Sequence, residues 1–286
     1  MNKIIKHSFS QLYSMSSGIS STKEQAGHGS PFVSFSTVFN NYFLPDILPD
    51  LMDTSKQEQN IYSIKEGDIL ITRTSETIDE LAMSCVAAKD YPSATYSGFT
   101  KRLRPKTEGI TYHKYLAFYL RGKLFRKAVT NNAFMTLRAS FNEDIFSFLS
   151  LYLPEYKEQV KIGDMLYLME QKIQLNKSIC FELESMAKTL YDYWFVQFDF
   201  PDENGRPYRA SGGEMVWNPQ LKREIPKGWE AGTIGQIGSV ISGGTPTTTR
   251  EDYYCNHGIA WITPNDLSKN EDKMFISHGE RDITQS

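Results

Sequence analysis

The sequence has no adjacent prolines and no Gly-x4-Gly-Lys-Ser/Thr run. The first absence excludes the Asn/Asp-Pro-Pro-aromatic element that holds a flipped adenine for methyl transfer, and the second excludes a phosphate-cradling loop for ATP. Cysteine is scarce. Cys85, Cys180 and Cys255 lie far apart and fit neither a disulfide framework nor a zinc site, so they read as free thiols. His257, beside Cys255, has no further ligand residues close in sequence. No apolar run approaches the roughly 18 residues needed to span a bilayer, and residues 1–13 lack the apolar stretch of a signal peptide. The expectation is a soluble, cytoplasmic protein with no catalytic motif, no metal, no cofactor and no membrane partner. Glu-x-Lys matches at 155–157 and 271–273 resemble part of a metal nuclease site, but so short a pattern recurs by chance. Residues 202–205, Asp-Glu-Asn-Gly, open like a calcium loop, yet the later ligands and closing Glu do not follow, so they read as a turn.

What is present is an ordinary globular composition over 286 residues, 40% hydrophobic and 23% charged, enough for about two domains. The formal net charge is −3, but charge is unevenly distributed. Between Cys85 and Arg138 there are 11 Lys or Arg against 2 acids, Asp90 and Glu108. A local excess of basic residues is what a phosphate backbone attracts, although a solvated helix face gives the same count.

Residues 1–150 read as mixed α/β. "PFVSFSTVF" (31–39) and "GDILITR" (67–73) carry the β-branched and aromatic alternation of strands. Residues 112–129 approach helical spacing, and residues 140–154 open with Ser140 three positions before Glu143, a capping-box pattern, and stop at Pro154. The clearest periodicity follows. Ile162, Leu166, Met169, Ile173, Asn176, Cys180, Leu183, Ala187, Leu190 and Trp194 are spaced alternately four and three apart, a heptad stripe. A helix over residues 154–195 would be about 63 Å long, and its stripe needs another long helix as partner. Asn176, in mid-stripe, either selects one register by pairing its amide or faces water. Beyond it, residues 189–200 concentrate aromatic side chains, and residues 201–228 read as a linker of loop and turn.

The chain then repeats itself. "FSQLYSMSSG" (9–18) aligns without a gap on "IGQIGSVISG" (234–243), and "FVSFSTV" (32–38) falls on "WITPNDL" (261–267) in the same order. Two ordered blocks imply a duplicated domain, with residues 229–286 forming a partial second copy that ends at Ser286 before any equivalent of "GDILITR".

This layout, together with "LPEYKEQVKIGDML" (153–166), "LESMAKTLYDYWFVQFDFPDENGRPYRASGGEMVWN" (183–218), "REIPKGWE" (223–230) and "GDILITRTS" (67–75), resembles the specificity subunit of type I restriction-modification systems. The resemblance implies an α+β chain: a target recognition domain of mixed α/β structure (1–150), a conserved coiled-coil-type helix as spacer (151–200), the linker, and the start of a second recognition domain. It implies a non-catalytic subunit that reads double-stranded DNA and directs adenine methylation and cleavage by methyltransferase (modification) subunits and a restriction subunit. The aromatic helix end would then be a cap against a partner helix or a dock for those subunits.

Within this reading the expected DNA-contacting residues are Ser34, Ser36, Asn40 and Asn41 on one strand and its exit, Arg73, Thr74 and Ser75 at the end of another, and Tyr96, Lys101, Arg102 and Arg104, where aromatic and basic residues interleave around Phe99. The expected helix interface is Ile162, Leu166, Met169, Ile173, Asn176, Leu183, Leu190 and Trp194, meeting a second copy of the chain or a partner subunit. The alternatives are a nuclease or DNA methyltransferase acting alone, and a coiled-coil scaffold with no role on DNA.

Overall fold

The computed structural model describes residues 4–20, 22–77, 80–132, 139–247, 249–255, 257–270 and 275–284. The chain divides into two compact units, Met1–Ile173 and Gln174–Ser286.

The first unit is built around a four-stranded antiparallel sheet. Its order across the sheet is Tyr13–Ser17, Thr100–Pro105, Ile69–Thr72 and Ser84–Val86. Ile69 is paired with Leu103 on one side and Val86 on the other. All four residues of Ile69–Thr72 are buried, which explains why this strand is a continuous run rather than an alternation: both faces are covered. Ile69, Ile71 and Leu103 face a core with Phe9, Leu116, Phe125, Phe141 and Leu151. Leu70 and Cys85 point to the opposite face, against Val33, Val38, Ile64 and Tyr96. A smaller sheet places Ala26–Val33 between Asp50–Met52, antiparallel, and Thr95–Tyr96, parallel. The strand Ile5–Ser8 pairs antiparallel with Ser150–Leu153, so the two ends of this segment are tied together.

Three local expectations are corrected. Residues 31–39 are not one strand. The strand ends at Val33 and a helix, Phe35–Asn40, follows, with Ser34 as its N-cap accepting from the Thr37 N–H at 3.3 Å. Burial of Thr37 and Val38 outweighs the β preference of that stretch. Residues 112–129 form two helices, His113–Tyr119 and Lys123–Asn132, separated at Gly122. The helix before Pro154 is Glu143–Phe148, capped by Asn142 rather than Ser140, and the chain then becomes strand Ser150–Leu153.

The long helix is Tyr156–Tyr191, 36 residues, or about 54 Å. It continues into a wider turn, Asp192–Val196. Its first turns are fastened to the domain that precedes it. Gln159 is buried, accepts from the Tyr112 N–H and donates to the carbonyls of Ile110 and Pro154. One turn on, Asp164 accepts from the Tyr112 hydroxyl at 2.6 Å and from Lys114 at 3.2 Å. The Tyr112 hydrogen bond is the main reason its carboxyl titrates below the usual range.

In the second unit the expected linker 201–228 contains a hairpin, Met215–Asn218 with Arg223–Pro226. Trp229 stacks on Phe200 and meets Phe198 edge-on, while Phe200 stacks on Tyr208 and Arg223 lies over Phe198. Phe198 and Phe200 are therefore packed inside their own unit, a correction to their reading as a cap for a partner, whereas Tyr191, Tyr193 and Phe195 stay exposed. Further on, Ile259–Trp261, Arg281–Ile283 and Tyr254–Cys255 form a three-stranded sheet.

The aligned blocks adopt matching local structure. Phe9–Leu12 and Ile234–Ile237 are both single helical turns at equivalent positions. Ser34 aligns on Thr263, and each caps a six-residue helix, Phe35–Asn40 and Pro264–Lys269, directly after a strand. The match stops at 238–247, where no strand equivalent to Tyr13–Ser17 forms.

Candidate nucleic-acid interface

The basic residues of the 85–138 stretch divide: Lys89, Lys106, Lys123 and Lys127 are exposed, whereas Lys101, Arg102, Arg104, Lys114, Arg121 and Arg126 are half-buried or buried. Arg102 is only 9% exposed; its guanidinium donates to the carbonyls of Ile61 and Ser63 and lies over the Tyr96 ring. Arg104 is gripped by Asp68 through two hydrogen bonds of 2.8 and 2.6 Å, which raise its pKa. Lys106 donates to the Ser10 carbonyl, Lys114 pairs with Asp164, and Lys89 pairs with Asp46. Arg121 donates to four carbonyls, those of Val38, Phe39, Asn41 and Ser84. Arg138 lies outside the described residues, as do residues 271–273 of the second Glu-x-Lys match. Part of the local charge excess is therefore an internal scaffold, in which Arg102, Arg104, Lys114 and Arg121 serve carbonyls and carboxylates.

Two expected contact residues need correction on this ground. Tyr96 is fully buried, its hydroxyl within 2.9 Å of the Ser16 hydroxyl and donating to the Ser17 carbonyl, so its ring offers no surface to a base. Arg102 supports the same region from inside. Arg104 is partly exposed, but its charge is already matched by Asp68.

The remaining residues are drawn together by the fold. Arg73 follows the buried strand Ile69–Thr72; its N–H donates to the Phe99 carbonyl and its own carbonyl accepts from the Phe141 N–H. Thr74–Ser75 then pairs with Ala139–Ser140. Phe99 sits on a tight turn between Thr95–Tyr96 and Thr100–Pro105, pinned by the Gly98 N–H donating to the Ile19 carbonyl and by the Ser97 hydroxyl accepting from the Phe99 N–H. A side chain at Gly98 would place its Cβ 2.9 Å from that carbonyl, so the close approach requires glycine. Phe99 is 65% exposed. Facing it, the helix Phe35–Asn40 presents Phe35 and Phe39, one turn apart and stacked.

Phe35, Phe39 and Phe99 line, with Thr74, Ser75, Glu76 and Glu80, a cleft of about 510 Å³. Ser34 and Ser36 are joined by a 2.9 Å hydroxyl contact at the start of the same helix. Asn40 is exposed, whereas Asn41 is half-buried and donates back to the Thr37 carbonyl. Lys101, two residues beyond Phe99, reaches the Ser17 hydroxyl at 2.8 Å. Its pKa is lowered by burial first and then by the positive charge of Arg73, with Glu143 opposing. Arg73 is exposed and has no ion pair among the described residues. Two like charges held near each other favour an incoming anion.

Sequence reasoning missed Phe35, Phe39, Glu76 and Glu80. The signal for the first two was a Ser followed by Phe residues four apart, a capped helical turn that the strand reading obscured. On the long helix, Ile162, Met169, Ile173, Asn176, Leu183 and Leu190 are exposed, and Leu166 and Trp194 are half-buried.

Comparison with known proteins agrees with this architecture. The specificity subunit of the MjaIX type I restriction enzyme from Methanocaldococcus jannaschii is 26% identical over 222 residues, covering 77% of this chain and 46% of that protein. The HindI type I specificity subunit of Haemophilus influenzae is 24% identical over 281 residues, covering 78% of this chain and 58% of that protein. The chain thus spans about half the length of these curated relatives. In fold it is similar to the crystal structure of the type I restriction-modification S subunit from M. genitalium, with a TM-score of 0.50 at 12% identity, over 69% of this chain and 47% of that one. The sequence model of the type I restriction modification DNA specificity domain matches residues 16–185, and the chain belongs to that family.

Proposed function

We propose that the chain is a cytoplasmic, non-catalytic DNA-recognition subunit that lends sequence specificity to methyltransferase and restriction subunits. The observation that carries this reading is the coincidence of the family match, residues 16–185, with a surface where Arg73 and Lys101 lie beside a cleft of aromatic, hydroxyl and carboxylate side chains. Residues 1–150 serve as the recognition domain, 151–200 as the spacer helix, 201–228 as a connection stiffened by its hairpin, and 229–286 as part of a second recognition domain. The contacting set is Ser34, Ser36, Asn40, Arg73, Thr74 and Lys101, with Ser75 and Asn41 supporting them. Arg102 and Arg104 act from within.

Salt titration of duplex binding by the full chain tests this. Each phosphate contact contributes about 0.9 to the slope of log K against log salt. Replacing Arg73 and Lys101 together with Ala lowers the slope by up to roughly 1.8. Methyl transfer to adenine appears only when the modification subunits are added. Absence of DNA binding by the unmodified chain, alone and with those subunits, refutes the reading.

A further inference from the structure

Three phenylalanines on one cleft call for an explanation. Phe99 is mostly exposed and Phe35 and Phe39 are half-buried beside it; a single exposed apolar side chain is ordinary, but a grouped apolar surface marks a contact. Phe35 and Phe39 are presented by one short helix and Phe99 by a glycine-pinned turn, so three backbone segments hold the walls. The cleft also carries two carboxylates, Glu76 and Glu80, on a surface whose neighbours Arg73 and Lys101 are basic. Carboxylates repel phosphates. In a DNA-facing cleft they belong over base edges, where an exocyclic amino group supplies a donor, and the flanking cations belong over the backbone.

Resting on the DNA-recognition reading above, we propose that this cleft reads a cytosine through the major groove. Cytosine offers the matching edge: an N4 amino donor for the Glu80 carboxylate, beside an apolar C5 position that meets Phe99 and Phe39. Thymine shares the apolar edge but places its O4 acceptor where the amino group would be, facing the carboxylates, and is rejected. Guanine presents two acceptors to the same carboxylates and is rejected more strongly, while adenine, which also offers an amino donor, places its N7 acceptor where the apolar C5 edge would meet the phenylalanines. Phenylalanine makes apolar contact with a C5 methyl group as readily as with a bare C5 edge, so 5-methylcytosine is accepted at the same position.

The test is selection of bound duplexes from a randomised library by the full chain, unmodified and as Phe99→Ala, Phe99→Leu and Glu76→Gln/Glu80→Gln variants. Phe99 is mostly exposed and the Gln substitutions are isosteric, so all the variants fold; thermal melts verify this before selection. The expected result is one cytosine position in the recovered motif whose preference over thymine falls roughly 5- to 150-fold in the Gln variant. Phe99→Ala weakens the same position, Phe99→Leu less so, and the salt slope stays unchanged throughout. A duplex carrying 5-methylcytosine there binds the unmodified chain as well as cytosine does. If the variants recover the unmodified motif in full, or if the affected position is not cytosine, the cleft is not a cytosine reader, while DNA recognition by the chain stands. If the unmodified chain retains no duplex, either alone or with the modification subunits, both readings fail together.

Discussion

Arg121 shows how a basic residue can brace the proposed DNA-facing helix from within. Its guanidinium donates to the carbonyls of Val38, Phe39 and Asn41, the last residues of the Phe35–Asn40 helix and the one after it, and to Ser84 on the sheet. A positive charge at a helix C-terminus is favourable, and the forked guanidinium reaches several orphan carbonyls at once. Burial lowers its pKa, yet no attainable pH discharges an arginine whose ordinary value is above about 12. Lysine carries the same charge with three donors on one atom and cannot span the four carbonyls. Arg121→Lys therefore costs roughly 2–3 kcal/mol, the scale of losing hydrogen bonds to a charged donor. At about 2–4 °C per kcal/mol for a unit of this size, the melting temperature drops by roughly 4–12 °C. Calorimetry checks the size of that drop. An unchanged melting temperature means that the four carbonyls are served equally well by water.

At the scale of elements, the strongest periodic signals were legible and the shortest were not. The buried strand Ile69–Thr72 and the helix Tyr156–Tyr191 lie within the stretches that the patterns of 67–73 and 154–195 delimit. Both are dominated by their own residues, one by β-branched bulk and the other by a sustained heptad. The Phe35–Asn40 helix was not legible, because six residues contain too few turns for a period and its apolar side chains also suit a strand. The candidate site suffered more than the fold. Whether an arginine faces water or a carbonyl depends on contacts such as Arg102 with Ser63, 39 residues away in sequence, which no local pattern encodes. The junction at the start of the long helix was equally hidden. Gly163 is a buried helical glycine, and a Cβ there would lie 2.7 Å from the Tyr115 backbone nitrogen and 2.9 Å from the Tyr112 ring. The helix can lie against the Tyr112–Tyr115 segment only because this position has no side chain. Gly163→Ala gains helix propensity but forces backbone apart, and overpacking of this kind typically costs ~1–3 kcal/mol. The expected outcome is a lower melting temperature together with faster amide exchange at Tyr112 to Tyr115. A stabilised protein with unaltered exchange means that the helix shifts freely and is not fixed at this junction.

At the scale of the whole molecule, the outstanding feature is a helix whose apolar stripe remains in water. Ile162, Met169, Ile173, Leu183 and Leu190 are each 42–58% exposed. Among the described residues of the second unit, the helices beyond Tyr191 are Asp192–Val196, Ile234–Ile237, Glu251–Tyr253 and Pro264–Lys269, none long enough to cover a 36-residue stripe. The stripe is self-complementary in spacing, so a second copy of the same helix, running antiparallel, can bury it under twofold symmetry. Such a pair would carry two recognition domains at opposite ends of a ~54 Å spacer and read a split, palindromic site. Cys180 gives a direct reporter, since it lies on the stripe between Asn176 and Leu183 and is an exposed free thiol in the single chain, whereas Cys85 is buried and its pKa is pushed up by that burial. In a self-pairing protein, labelling of Cys180 by a thiol reagent slows as concentration rises through the dissociation constant, while Cys85 reacts only on unfolding at every concentration. Replacing Leu166, Ile173 and Leu183 with Asp places unpaired charge in the seam and restores fast labelling. Light scattering run alongside should show the mass halving in that variant. A Cys180 rate independent of concentration, with a monomeric mass well above micromolar, rules out self-pairing and leaves the stripe to a partner subunit.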